Sequence, residues 1–149
     1  MREIYKYASY ILEKELVRHY HAVSCVIQHR RKILLLKRSH KVMTNKGLWS
    51  VVAGRVERDP LSTAFNEIEE ETGLTKGDVR LLRRGRPLSV SLRKNTISSI
   101  HPFLFSTKDD RIRLNWEHEE FLWVFPRDVN KLDLVPSFLT MLASLGLTP

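Results

Sequence analysis

Residues 53–74, AGRVERDPLSTAFNEIEEETGL, decide the fold of this chain and the chemistry that it can carry. Within this stretch Glu67, Glu69, Glu70 and Glu71 fall close together, although the chain has a net charge of +8. Like charges at this spacing repel one another, especially on a helix. The cluster therefore needs a neutralising partner or a position in open solvent.

The residues around the cluster predict a helix over residues 60–72. Asp59 belongs to the residue types that accept hydrogen bonds from the first turn of a helix, and Pro60 suits the first helical position. Gly73 suits the left-handed conformation that commonly ends a helix. The glutamates are therefore expected on one central helix, whose apolar side packs against the rest of the domain.

A helix places the four glutamates in two directions. With about 100° of rotation per residue, Glu67, Glu70 and Glu71 share an arc of roughly 100°, whereas Glu69 points away from them. Three carboxylates on one face can be neutralised by Lys or Arg side chains across an interface. They can equally bind a hard divalent cation, which prefers carboxylate oxygens. The helix alone does not separate these two interpretations.

Length and composition describe an ordinary globular protein. The 149 residues, of which 42% are hydrophobic and 28% charged, fit a single domain, residues 1–149. No run approaches the roughly 18 apolar residues of a membrane span, so no membrane contact and a cytoplasmic location are expected. The lone cysteine, Cys25, excludes an internal disulfide. The excess of 25 Lys and Arg over 17 Asp and Glu suggests an anionic partner, unless it only solvates the surface.

The alternation of apolar residues predicts the remaining elements. Because strands both precede and follow the central helix, the expected class is a mixed α/β or α+β domain. Strands are predicted at residues 22–28, 32–38, 48–54, 79–93, 95–107, 111–115 and 121–125, with a basic turn around Gly85 interrupting residues 79–93 and the first two strands forming a hairpin. A closing helix is predicted at residues 136–147, and an amphipathic helix at residues 1–18. This N-terminal helix packs on the domain or on a second subunit, so a monomer or a homodimer is expected.

The glutamate stretch resembles the signature of the Nudix (MutT-like) hydrolases, Gly-x5-Glu-x7-Arg-Glu-U-x-Glu-Glu-x-Gly-U, where U is aliphatic. The residues that match it are Gly54 at its start and Glu67, Ile68, Glu70, Glu71, Gly73 and Leu74 in its second half. The flanking strands also resemble this family, over most of residues 22–130. The resemblance implies a Nudix-type α/β/α sandwich with a mixed central sheet, in which residues 53–74 form the Nudix box.

Two departures from the signature concern the loop before the helix. The interval from Gly54 to Glu67 is two residues shorter than in the signature, so its first Glu has no counterpart. Its Arg is replaced by Asn66. In the family these two residues are thought to pair with each other and brace the loop on the helix. Since both are missing, no single partner is left uncompensated, and a tighter loop is expected. The side chains available to brace it are Glu57, Arg58 and Arg38.

The resemblance implies hydrolysis of a nucleoside diphosphate linked to another group, with water attacking one phosphorus. Bound Mg²⁺ or Mn²⁺ would neutralise the diphosphate and activate the water. Carried over by position, Glu70 and Glu71 are the main metal ligands, and Glu70 is counted among the catalytic residues. The backbone carbonyl of Ala53, which stands where the family often has a second glycine, is a further metal ligand. Glu67 is a ligand or orients the water, and in some members this position is the base.

Other members of the family take the base from a later loop, and here the segment WEHEE offers Glu117, Glu119 and Glu120. If Glu120 begins a strand with Leu122, both side chains face the same way, and Glu120 is taken as the catalytic candidate. A solvated turn is the alternative for this cluster. His118 has no second His or Cys at ligand spacing, which argues against a metal role.

The expected phosphate-binding residues are Arg38, Arg84 and Arg86, because a guanidinium can meet two phosphate oxygens at once. Glu57 is placed with them on the substrate side, and surface charge is the alternative for the arginines. The expected partner is a phosphate-containing small molecule of the nucleotide type. The alternative function is a weak or inactive Nudix-fold module that binds nucleotide, RNA or a protein. Residues 80–94, however, lack the aromatic side chains of an RNA-binding stripe.

Overall fold

Strands and two helices account for most of the chain in the computed structural model, which describes residues 17–93 and 95–149. The strands are β1 Arg18–His29, β2 Lys32–Arg38, β3 Trp49–Ser50, β4 Val52–Arg55, β5 Val79–Arg84, β6 Leu88–Arg93, β7 Thr96–Thr107 and β8 His118–Val124. The helices are α1 Pro60–Thr72 and α2 Phe138–Ser144, with a 3₁₀ helix at Pro126–Lys131.

β1 is the centre of the sheet because it pairs along both of its edges. It runs parallel to β7 on one side and antiparallel to β2 and β4 on the other. β3 and β8 pair with β2, while β5 and β6 pair with β7, all of them antiparallel. The predicted mixed sheet is confirmed. So is the hairpin of β1 and β2, whose turn residues Arg30 and Arg31 both have positive φ.

The two faces of the sheet carry separate hydrophobic cores, because side chains alternate along each strand. α1 covers the first core, where Ile68 packs with Phe103 of β7. α2 and the 3₁₀ helix cover the second core, where Leu142 packs with Leu104 of the same strand. This arrangement is the α/β/α sandwich that the sequence predicts. Neither helix of the described residues is long and apolar enough to cross a membrane.

Two residues that the sequence singles out, Asp59 and Gly73, set the ends of α1. Asp59 Oδ1 accepts a hydrogen bond of 2.8 Å from the backbone N–H of Ser62, and the proline after Asp59 stands in the first turn. At the other end Gly73 has a φ of 78° and donates its N–H to the carbonyl of Glu69 at 2.9 Å. The prediction of a helix over residues 60–72 is confirmed at both ends.

Three predicted elements differ from the structure. Residues 111–115 form no strand, because their backbone follows the end of α1, where the N–H of Arg113 donates to the carbonyl of Thr72 at 2.8 Å. The closing helix is shorter than predicted, since Ser137 and Gly146 on either side of it have positive φ. The single strand predicted at residues 48–54 is divided into β3 and β4.

The predicted N-terminal helix falls almost wholly outside the described residues. Residues 1–16 are not described, so this helix and its packing on the domain or on a second subunit stay predictions. Where the described chain begins, Arg18 is the first residue of β1 and pairs with Thr96. The predicted end of the helix at residue 18 is therefore wrong.

Candidate active site

The site is built where α1 crosses β4, at a point of very close approach. The side chain of Glu67 lies directly over the Cα of Gly54, and a Cβ at Gly54 would stand 2.6 Å from Glu67 Oε1 and closer still to its Cδ. Real Cβ atoms do not come this near to another side chain. Only glycine at this position therefore allows Glu67 to reach inward.

Glu71 is the innermost of the box carboxylates. It is 1% exposed, and burial raises the pKa of its carboxyl well above the usual range. Glu67 is half-buried and lies beside Glu71, and burial raises its pKa as well. A hydrogen bond from the amide of Ala53 offsets the rise in the pKa of Glu71 only in part. The two acids therefore hold protons more tightly than free glutamates do.

The remaining acids of α1 point in the directions that the rotation of about 100° per residue predicts. Glu70 is exposed and its negative charge contributes to the raised pKa of Glu67, whereas Glu69 is exposed away from the site. In the described part of the chain, no Lys or Arg forms an ion pair with Glu67, Glu70 or Glu71. Among the described residues, Lys and Arg side chains therefore do not neutralise the acidic face, as the first of the two interpretations required.

His118 is the site residue that sequence reasoning missed. It is 5% exposed, and its Nδ1 lies 3.6 Å from Glu71 Oε1. Burial, together with the charge of Arg38, lowers its pKa to about 4, so its imidazole is neutral at pH 7. Within residues 17–93 and 95–149, no three His, Cys, Asp or Glu side chains converge tightly enough to form a ready-made metal cluster.

The later loop brings Glu117, not Glu120, to the carboxylate pair. The charge of Glu117 raises the pKa of both Glu67 and Glu71. Glu120 is exposed and forms an ion pair of 3.3 Å with Lys37, its partner across β8 and β2. Lys37 points to the same sheet face as Ile33 and Leu35, which belong to the second core. Its partner Glu120 therefore lies on the sheet face opposite α1. This placement does not support the predicted catalytic role of Glu120.

Hydrogen bonds to a hydroxyl and to a helix cap brace the shortened loop between β4 and α1. The hydroxyl of Thr63 accepts a hydrogen bond of 3.3 Å from the backbone N–H of Glu57, and Asp59 caps the helix beside it. The predicted brace through Arg38 is not formed, since Arg38 Nε donates to the carbonyl of Thr44 at 2.9 Å. A cavity of about 290 Å³ remains at Asn66, the position of the signature's Arg.

Removing the Thr63 hydroxyl tests this brace. Thr63→Val leaves the Glu57 N–H without its acceptor, so we expect the free energy of unfolding to fall by about 1 kcal/mol. We also expect kcat/KM to fall severalfold, because the loop leads directly to Gly54. Chemical denaturation and steady-state kinetics measure the two effects. Thr63→Ser keeps the hydroxyl and serves as the control, and equal behaviour of the two variants would contradict the brace.

The predicted phosphate-binding arginines occupy different parts of the molecule. The Arg84 guanidinium lies 5.4 Å from the centroid of the Phe103 ring, on the α1 side of the sheet, and its charge helps to lower the pKa of Asp59. Arg86 is exposed in the link between β5 and β6. The neighbouring Arg83 is structural, since its Nη1 donates to the carbonyl of Leu145 at 2.6 Å after α2. None of these three arginines lies in the loop beside the glutamates.

A cavity of about 500 Å³ opens beside the loop, and Glu57, which was predicted on the substrate side, is one of its lining residues. Its lining residues are His19, Tyr20, His21, Arg55, Val56, Glu57, Arg58, Pro60 and His101. The Arg55 guanidinium lies 3.9 Å from the centroid of the Tyr20 ring, and His21 Nδ1 is 2.9 Å from His101 Nε2. A larger cavity of about 580 Å³, formed by residues 77–80, residues 106–109 and Arg111, contains no box residue. The 500 Å³ cavity therefore borders the loop between β4 and α1, whereas the larger cavity does not.

The fold and the site together define a class of protein. A helix that carries several glutamates packs on a strand of a mixed sheet, at a glycine that lets a carboxylate approach the backbone. The family model described as NUDIX domain matches residues 18–145. The chain therefore belongs to the Nudix family, and the predicted family is confirmed.

Solved structures of this family are similar to the chain. An Ap4A hydrolase from C. elegans has a TM-score of 0.68 and 20% identity, over 87% of this chain and 96% of that chain. A MutT protein from Methanosarcina mazei Go1 has a TM-score of 0.65 and 23% identity, over 81% and 87%. RenU, a Nudix hydrolase from M. smegmatis, has a TM-score of 0.70 and 17% identity, over 87% and 84%. The likeness at these identities concerns the fold. No curated protein matches the chain in sequence.

Proposed function

We propose that the protein is a divalent-metal-dependent hydrolase that cleaves the diphosphate bond of a nucleoside diphosphate linked to another group. The observation that carries this proposal is the contact of Glu67 with Glu71, two carboxylates that have no Lys or Arg partner in the described part of the chain. Two ionised acids held together at a buried point are unfavourable without a cation. A cation-binding site accounts for their retention better than a structural role does.

The residues at the site suit a hard divalent ion such as Mg²⁺ or Mn²⁺. Among the described residues, Glu71 Oε2 is buried without a hydrogen-bond partner, which leaves one carboxylate oxygen free to bind. Glu70 adds oxygens from the solvent side of α1, and the carbonyl of Ala53 adds one from β4. When bound there, the ion would neutralise the diphosphate and lower the pKa of a water molecule. Glu70, Glu71 and Ala53 are the proposed ligands.

Glu67 is proposed as the base that orients the attacking water and accepts its proton. Its raised pKa brings a carboxylate closer to the range that suits proton transfer near neutral pH. Glu117 is the second candidate, because it is the acid of the later loop whose charge is felt by the box carboxylates. Glu120 is not proposed for this role, since it pairs with Lys37 on the other face of the sheet.

The nucleotide part of the substrate is proposed to occupy the cavity beside the loop. This cavity joins Glu57 and Arg58 of the loop to Tyr20 and Arg55 at the edge of the sheet. A ring and a guanidinium offer flat surfaces on which a base can stack, and the guanidinium groups can also meet phosphate oxygens. The part of the substrate beyond the scissile bond then extends over Glu67 toward solvent.

The role of this cavity predicts a binding defect for Arg58→Ala. Losing one charge-assisted hydrogen bond to phosphate is expected to raise KM by about tenfold and to change kcat by less than about threefold. Steady-state kinetics with the best substrate measure both constants. Arg111→Ala, which removes an arginine from the larger cavity, is the control and should leave KM unchanged. A fall in kcat at constant KM would place Arg58 outside the binding site.

A substrate screen tests the proposed function directly. The substrates are nucleoside triphosphates, nucleotide sugars, ADP-ribose, dinucleoside polyphosphates and capped RNA, each with Mg²⁺, with Mn²⁺ and with EDTA. We expect metal-dependent turnover of at least one of them. Turnover that persists in EDTA would contradict the metal requirement. Failure of every substrate together with binding of nucleotide, RNA or a protein would favour the binding module.

A further inference from the structure

His118 and Glu71 face each other at the most buried point of the site. His118 is the first residue of β8 and Glu71 is in the last turn of α1. The pair therefore joins the start of a strand to the end of the helix that covers the first core. Both side chains are 1% exposed, and Nδ1 of His118 lies 3.6 Å from Oε1 of Glu71. The space between the two side chains is therefore almost closed to solvent.

The polar atoms of this pair lack partners that proteins almost always provide. Within residues 17–93 and 95–149, neither ring nitrogen of His118 has a hydrogen-bond partner, and Glu71 Oε2 has none. The distance of 3.6 Å between the facing atoms is longer than the roughly 3.2 Å limit of a good hydrogen bond. Buried groups left in this state are rare in folded proteins and call for an explanation such as an ion.

The spacing of the two facing atoms suits donors to one common ion. Two ligand atoms each about 2.1 Å from a tetrahedral metal lie roughly 3.4 Å apart, close to the 3.6 Å between His118 Nδ1 and Glu71 Oε1. A neutral imidazole is the form that binds metals.

We propose that His118 supplies an imidazole nitrogen to the ion bound by Glu71, giving the site a mixed nitrogen and oxygen donor set. This inference rests on the proposed metal-dependent function and adds to it a preference among metals. Carboxylates and carbonyls alone suit Mg²⁺, whereas an imidazole ligand favours first-row transition metals such as Co²⁺ and Zn²⁺. The enzyme is then selective for a transition metal, and His118 is the residue that sets this selectivity.

Electron paramagnetic resonance of bound Mn²⁺ gives a test that does not depend on activity. In the wild-type protein we expect a hyperfine coupling to one imidazole nitrogen, and in His118→Gln we expect this coupling to vanish. Titration calorimetry should show that His118→Gln weakens Co²⁺ binding by at least about tenfold and Mg²⁺ binding by less than about threefold. The loss of a residue that only supports a metal ligand already costs roughly 10–100-fold in affinity, so the loss of a ligand should cost at least as much. Bound Mn²⁺ without nitrogen coupling in the wild type would overturn the proposal.

Two controls separate this inference from the proposed function. His40→Gln removes an exposed histidine that stands 3.7 Å from Glu119, a similar pairing outside the site, and should leave both metal affinities unchanged. Glu71→Gln should abolish Mn²⁺ binding. If the wild type binds no ion, the proposed function fails with the inference. If Mn²⁺ binding depends on Glu71 but shows no nitrogen coupling, only the role of His118 fails. The wild-type spectrum decides the question even if a His118 variant does not fold.

Discussion

Replacing Glu71 by glutamine is expected to lower kcat/KM by about a thousandfold, because a metal site supplies several kcal/mol of transition-state stabilisation. The same change is expected to stabilise the metal-free protein by roughly 1–3 kcal/mol, the usual penalty of an unsatisfied buried polar group. The glutamine amide can donate to Glu67, with which Glu71 is in contact. A gain in stability together with a loss of activity is the signature of a functional carboxylate held at an unfavourable position.

The stability gain should depend on pH in a defined direction. The pKa of Glu71 is raised in the folded protein, so above the ordinary glutamate pKa of about 4.3 the folded state binds more protons than the unfolded state. The metal-free wild type therefore loses stability as the pH rises from this value through the folded-state pKa, and Glu71→Gln loses less. Thermal unfolding in EDTA at pH 5 and pH 8 measures the difference. Glu69→Gln, on the exposed side of α1, is the control and should change neither activity nor stability.

Gly54→Ala is expected to lower kcat by about a hundredfold, as misplacing a catalytic group by an ångström can do. The new Cβ would stand 2.6 Å from Glu67 Oε1, so the carboxylate must leave its place over β4. The obstructed atoms, from Cγ to Oε1 of Glu67, belong to a side chain rather than to the backbone. We therefore expect the free energy of unfolding to change by less than about 1 kcal/mol, since alanine also costs less conformational entropy than glycine.

Gly77→Ala is the matched control for this substitution. A Cβ at Gly77 would meet only the Thr75 hydroxyl, at an ordinary contact distance of 3.8 Å. Activity and thermal stability should therefore stay at wild-type values. If Gly54→Ala instead kept full activity, the position of Glu67 over the glycine would not matter for catalysis. A large loss of stability would show that the fold, rather than the carboxylate, is what the glycine protects.

The parts of the fold that sequence predicts well are those set by local chemistry. The start of α1 depends on Asp59 and its end on Gly73, and both act within a few residues of their own position. Residues 111–115 show the limit of the same reasoning. Their alternating Ile112 and Leu114 pack against the first core, as strand side chains would. Their backbone, however, bonds to the end of α1, and no local pattern distinguishes this from a strand.

A single extra residue in β8 decides which side chain of the later loop reaches Glu71. Glu120 would face away from α1 even in a regular strand, because it alternates with the positions that share the face of Trp123. In a regular strand alternate side chains share a face, so Trp123 in the first core would bring Glu119 to the side of α1. In the ladder with β2, however, Glu119 has no opposite residue, and the pairing passes from Glu120 directly to His118. A bulge of this kind exchanges the two faces of a strand beyond it. His118 therefore takes the buried position beside Glu71, and sequence alone gave no sign of the bulge.

The hydroxyl brace of the loop has a consequence for how the enzyme responds to its medium. A loop held by an Arg–Glu pair loosens as ionic strength rises, because mobile ions screen exposed charges over a Debye length of about 8–10 Å. The hydrogen bond from the Glu57 N–H to Thr63 joins two uncharged groups, so screening leaves it intact. A dependence of the catalytic rate on electrolyte concentration is then expected to report the charged cap, the bound cation and the anionic substrate rather than the Glu57–Thr63 hydrogen bond.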